Sequence, residues 1–199
     1  MRNFALLPSA CALLLLAGTV HAQQVDIAIG ATTTVSSKNT TASQAFVAPP
    51  EKGGMYPSIS ADVIFHKNFG VNAEFAVRAK QGLYNGYQDF RPIFSDINAI
   101  YAPRLNKKFT AELMAGAGVE TILFYSHFGF CNPSYASCTT YITSNHFMGH
   151  VGGGVRYYFW HRFFVRPEAH LYLIPNNTEF HSNYVGRVGA SLGYSFAPR

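Results

Sequence analysis

The sequence predicts an all-β protein: an eight-stranded antiparallel up-and-down barrel that crosses a membrane. Three observations point to it. Eight segments alternate apolar and polar residues with period two, the pattern of strands whose two faces meet different surroundings. The connections between these segments alternate between tight turns and long loops. Charged residues form only 13% of the chain, whereas a soluble surface is normally about 25–35% charged.

The clearest unit is the hairpin at 146–174. Phe147, Gly149, Val151, Gly153, Val155, Tyr157 and Phe159 share one face of its first strand; His146, Met148, His150, Gly152, Gly154, Arg156 and Tyr158 share the other. After a turn at 160–162, Phe163, Val165, Pro167, Ala169, Leu171 and Leu173 alternate with Phe164, Arg166, Glu168, His170 and Tyr172. Strands of about ten residues suit a tilted bilayer crossing. The remaining strands are predicted at 25–36, 55–65, 70–81, 92–102, 109–123 and 184–196. Pro57 marks a strand end, because it cannot donate to a ladder. Tight turns fall at 66–69, 104–108 and 160–162; long loops fall at 37–54, 82–91, 125–145 and 175–183. Both termini then lie on the short-turn side, an asymmetry typical of outer-membrane barrels.

Alternation alone also permits a soluble lipocalin-like barrel lined by its apolar set. The charges favour the opposite arrangement. Asp26, Asp62, Glu74, Asp96, Glu112, Glu120 and Glu168 lie on the polar face, with Arg78, Lys80, Arg156, Arg166 and Arg187. Glycines such as Gly30, Gly116, Gly118, Gly152, Gly154, Gly189 and Gly193 are interleaved with them. Small residues between long charged ones suit a narrow interior, which eight strands leave just wide enough for side chains to fill. Buried ions need partners, so an interior network of Glu112, Glu120, Arg156, Arg166, Glu168 and Arg187 is expected. Phe65, Phe69, Tyr101, Phe109, Phe159, Trp160, Phe163, Tyr194 and Phe196 collect at the short-turn end, as an interfacial girdle requires.

Residues 1–22 read as a secretory signal. Arg2 gives a basic start, 10–20 is an apolar run, and Val20-His21-Ala22 ends in a small residue. The barrel domain is then 23–199. Export implies an oxidising compartment, so Cys131 and Cys138 are expected to pair. The pI of 9.2 comes from scattered Lys and Arg with no basic stripe, so nucleic acid is not an expected partner.

The runs GGGVRYYF and FFVRPEAHLYL with the closing strand RVGASLGYSF resemble the OmpA/OmpX-like eight-stranded outer-membrane β-barrel domain family. The specific match covers about the last fifty residues. The resemblance implies an outer-membrane location, lipid and lipopolysaccharide as surroundings, and a monomer. The chain departs from the common pattern at its end, where Ala197-Pro198-Arg199 follow the aromatic Phe196.

No cofactor or metal site is expected. His66, His127, His146, His150, His161, His170 and His181 lie on different strands and loops without paired ligand spacing. Phe180-His181-Ser182-Asn183 is similar to the His-x-Ser-Asn motif of lipid A deacylase barrels but lacks the intervening residue. Neighbouring strand residues point to opposite faces, so that pair does not form a nucleophile and its base. The expected function is structural or interactive and non-catalytic, with a surface ligand taken by the loops at 37–54 and 125–145. The alternatives are a deacylase-like barrel and a soluble periplasmic binding barrel.

Overall fold

A computed structural model describes residues 24–36, 51–132, 137–175, 177, 179–180 and 183–196. The signal at 1–22, most of the 37–54 loop, the His181–Ser182 pair and Ala197-Pro198-Arg199 lie outside them. Nine strands occur in the described residues: β1 (Gln24–Val35), β2 (Tyr56–His66), β3 (Phe69–Val77), β4 (Gly82–Tyr84), β5 (Gln88–Tyr101), β6 (Phe109–Asn132), β7 (Ser137–Trp160), β8 (Phe163–Leu173) and β9 (Tyr184–Ser195). Eight of them form a ring in the order β3-β2-β1-β9-β8-β7-β6-β5, closed by antiparallel pairing of β3 with β5. β4 is a short addition to the edge of β5.

The faces sort against the rule for soluble proteins. Along β1 the polar Gln24, Asp26, Thr32 and Thr34 are buried, while Ile27 and Ile29 are 43% and 61% exposed. Ile97, Leu113 and Phe147 are likewise more than half exposed on their strands. Apolar side chains therefore face out around the ring and ionic ones face in, which excludes a lipocalin-like apolar lining. An apolar surface of this extent is unfavourable in water but suits hydrocarbon.

The short turns have local causes. Lys67 and His161 take positive φ, at 49° and 44°, in the β2–β3 and β7–β8 turns. In the β5–β6 turn, Asn106 Oδ1 accepts from the backbone N–H groups of Lys108 (2.8 Å) and Phe109 (2.9 Å), the self-capping expected of a turn Asn. The aromatics around these turns touch. Trp160 stacks on Phe163 at 5.6 Å, Phe163 meets Tyr194 at 4.9 Å, and Tyr194 meets Phe196 at 5.1 Å.

Two long connections differ from the sequence reading. Within 82–91, Asn85 and Gly86 both take positive φ and turn β4 onto β5, a hairpin chemistry that Asn-Gly favours. The 125–145 segment is largely a two-stranded extension. β6 and β7 are 24 residues each, and their ladder runs past Tyr125↔Tyr141 to Cys131↔Cys138.

Candidate functional site

The lumen is filled in layers. At the short-turn end Ile64, Ile100, Ala102 and Met114 form an apolar plug. Toward the long-loop end a second apolar layer contains Tyr56, Ala76, Phe94, Met148, Tyr172, Ile174 and Val185. A third cluster beyond it contains Phe90, Ile122, Phe124 and Phe180. The ionic residues lie mainly between the first two layers. The interior is thus not polar throughout, as the sequence suggested; its ionic middle is closed at each end by packed apolar side chains.

Register explains how the ions meet. Asp26 and Asp62 are direct cross-strand partners on β1 and β2, an arrangement that like charges disfavour. Arg156 of β7 crosses the barrel and relieves it, pairing with Asp26 and Glu112 and, at 2.8 Å, with Asp62. Arg166 reaches Asp62 (3.2 Å), Glu112 (3.3 Å), Glu168 (2.6 Å) and the Ser60 hydroxyl (2.8 Å). Arg187 pairs with Glu74 and lies over the rings of Tyr172 (5.3 Å) and Phe94 (5.7 Å). Arg78 and Lys80 are not buried with them.

Glu120 stands apart from the arginines. Its carboxyl interacts with that of Glu51, and Asn177 Nδ2 donates to its Oε2 at 3.4 Å. Glu51, just ahead of β2, is fully buried and accepts from the Tyr56 hydroxyl at 3.1 Å. Burial raises its carboxyl above the ordinary 4.5, opposed by its interaction with Glu120, the Tyr56 hydrogen bond, and Arg78 and Arg187. No periodic pattern covers Glu51, so sequence reasoning missed it.

Two histidines also meet. His150 of β7 and His170 of β8 stack with centroids 5.1 Å apart, and His150 Nε2 lies 3.0 Å from His170 Nδ1. Gly152 makes the room, since a Cβ there would come within 2.9 Å of both nitrogens. His146 lies elsewhere, at the long-loop end, where its Nε2 is 3.1 Å from Ser144 Oγ and 2.9 Å from Glu179 Oε2. Ser144 donates to Glu179 Oε1 at 2.5 Å. The residue types are those of a hydrolase, but the polarity is wrong. The serine proton goes to the carboxylate, and the acid touches the same imidazole nitrogen as the serine. A triad needs the acid on the other nitrogen.

No protein-family model and no curated protein matches the sequence. Solved structures match the fold. The attachment invasion locus protein Ail of Yersinia pestis, solved with the heparin analogue sucrose octasulfate, has a TM-score of 0.59 at 16% identity, covering 87% of this chain and 98% of its own. Neisserial surface protein A gives 0.56 at 13% identity, covering 86% and 95%. OprG of Pseudomonas aeruginosa, an outer-membrane protein, gives 0.55 at 14% identity, covering 89% and 98%. The fold is that of the eight-stranded outer-membrane β-barrels of OmpA/OmpX-like type.

Proposed function

We propose that the mature chain, 23–199 after loss of a signal at 1–22, is an integral protein of the bacterial outer membrane. Its role is structural and surface-interactive, and it performs no catalysis. One observation carries this reading: an apolar outer wall surrounds a lumen closed by packed side chains, so the remaining place to act is the long-loop end. There β6 and β7 extend as a ladder of 24-residue strands, about 80 Å at roughly 3.3 Å per residue. A bilayer crossing uses only about ten residues of each. The surplus forms an arm that carries Tyr125 against Tyr141. Ail, the fold neighbour solved with a sulfated ligand, makes immobilised heparin a reasonable first probe.

The test has two parts. The mature chain should fractionate with outer membranes and require detergent for extraction; recovery as a soluble monodisperse protein would end this reading. Shortening the arm between Tyr125 and Tyr141 to a tight turn should leave the barrel folded and abolish adherence of expressing cells to the probe surface. For the absence of catalysis, expression should leave lipid A acylation unchanged by mass spectrometry. Loss of an acyl chain that depends on Ser144 or Ser182 would establish an enzyme instead.

A further inference from the structure

A chain of hydrogen bonds across the lumen fixes the protons of both buried histidines. Asn98 Nδ2 donates to Asn72 Oδ1 (2.8 Å) and Asp96 Oδ1 (2.5 Å), so Asn98 Oδ1 is left as an acceptor. His150 Nδ1 lies 2.6 Å from that oxygen and therefore carries the proton. Its Nε2 is then a lone pair, and His170 Nδ1 donates to it across 3.0 Å. With its proton on Nδ1, neutral His170 turns a lone pair at Nε2 towards Glu168 Oε1, 3.9 Å away.

Glu74 of β3 approaches the same point from across the barrel. One ligand atom each from Glu74, Glu168 and His170 lies within 4.8 Å of the other two. Glu74 Oε2, Glu168 Oε1 and His170 Nε2 are all buried, and none has a hydrogen-bond partner. Three buried acceptors here lack hydrogen-bond partners, a costly arrangement. Arg187, although paired with Glu74, keeps its own Nε and Nη1 without a hydrogen bond rather than satisfying them. The wider charge balance is negative. Among the described residues eight buried acids (Asp26, Glu51, Asp62, Glu74, Asp96, Glu112, Glu120 and Glu168) face three buried guanidinium groups.

We propose that Glu74, Glu168 and His170 bind a divalent cation of the zinc class inside the barrel. One imidazole nitrogen with two carboxylate oxygens is a donor set that suits zinc and its first-row neighbours. The surrounding contacts are those that hold metal ligands in place. His170 is oriented through Nδ1 by His150, Glu168 gives its other oxygen to Arg166 at 2.6 Å, and Glu74 gives its other oxygen to Arg187. Bonds of about 2.1 Å in a tetrahedron set ligand atoms about 3.4 Å apart, so binding needs only small rotations of the two glutamates. Arg187 stays on the other oxygen of Glu74, seated over the rings of Tyr172 and Phe94. Apolar layers close both ends of the lumen, so the ion enters as the barrel closes. The site does not depend on where the barrel resides or what its arm binds.

The test uses the untagged mature chain refolded in detergent with Zn²⁺, then treated with a chelator and desalted. Elemental analysis should find one equivalent retained by folded protein. It should be retained in His66→Asn and His161→Asn variants and lost in folded His170→Asn and Glu74→Gln variants. Folded wild type that holds no zinc would overturn the proposal and assign the space to a shared proton. So would retention in both lumen variants. If the lumen variants do not fold, X-ray absorption of the zinc-loaded wild type decides. A shell of one imidazole nitrogen with oxygen donors supports the site, and a shell without imidazole or with several imidazoles overturns it.

Discussion

Arg166 and Glu168, two residues apart on β8, are bonded to each other at 2.6 Å, and both side chains are 1% exposed. Alternate residues of a strand share a face, so the pair is built into one strand and then locked by Asp62, Glu112 and Ser191 from others. Removing one partner leaves the other buried and uncompensated, at a cost of roughly 3–5 kcal/mol. Arg166→Ala and Glu168→Ala should each lower the unfolding free energy in detergent by that order. Losses under about 1 kcal/mol in both would describe a hydrated surface pair instead.

Where a glycine stands should matter more than how many there are. A Cβ on Gly118 would stand 2.1 Å from the Ser95 carbonyl oxygen, a backbone atom that cannot rotate away. On Gly149 the nearest atoms are 4.0 Å off. Gly118→Ala should therefore destabilise by about 1–3 kcal/mol as an overpacking change, and Gly149→Ala should be near neutral. Equal effects from urea titrations of the two would contradict the close approach of β6 to β5.

Glu51 should make the long-loop end sensitive to pH. Its folded pKa lies above the unfolded one, so its contribution is fully present below the ordinary carboxyl range near 4.5 and is lost as pH rises through the raised value. The groups around it are Glu120, Tyr56, Arg78 and Arg187. Stability of the wild type relative to Glu51→Gln should fall as pH rises from that range. Parallel pH curves for the two proteins would refute this.

Cys131 and Cys138 are placed opposite each other by the β6–β7 register, and oxidation in an exported protein should join them. Alkylation before reduction should label neither, and alkylation after reduction both. Full labelling without reduction would show a dithiol.

Much of this was legible in the chain itself. Period two marked all eight staves, and the grouping of Asp26, Glu112 and Arg166 with glycines marked the inward face. What parity cannot supply is register across the ring. Glu74 lies on β3 and His170 on β8, on opposite sides of the barrel, and only closure brings them together. His150 and His170 read as unrelated for the same reason. The segment 125–145 read as a long loop between strands, although Thr139-Thr140-Tyr141-Ile142-Thr143 is rich in strand formers. Asn85-Gly86 was a hairpin signal in plain view.

The stacked pair Trp160 and Phe163 has a practical consequence. Trp160 is the chain's single tryptophan, it is 61% exposed on the outer face, and it sits at the β7–β8 turn. Intrinsic emission under tryptophan excitation therefore reports from one known latitude. In vesicles its spectrum should shift to the blue on insertion, and quenchers carried at graded depths along the lipid chains should place it at the interface rather than mid-bilayer. The protein carries its own optical depth gauge, with no label to attach.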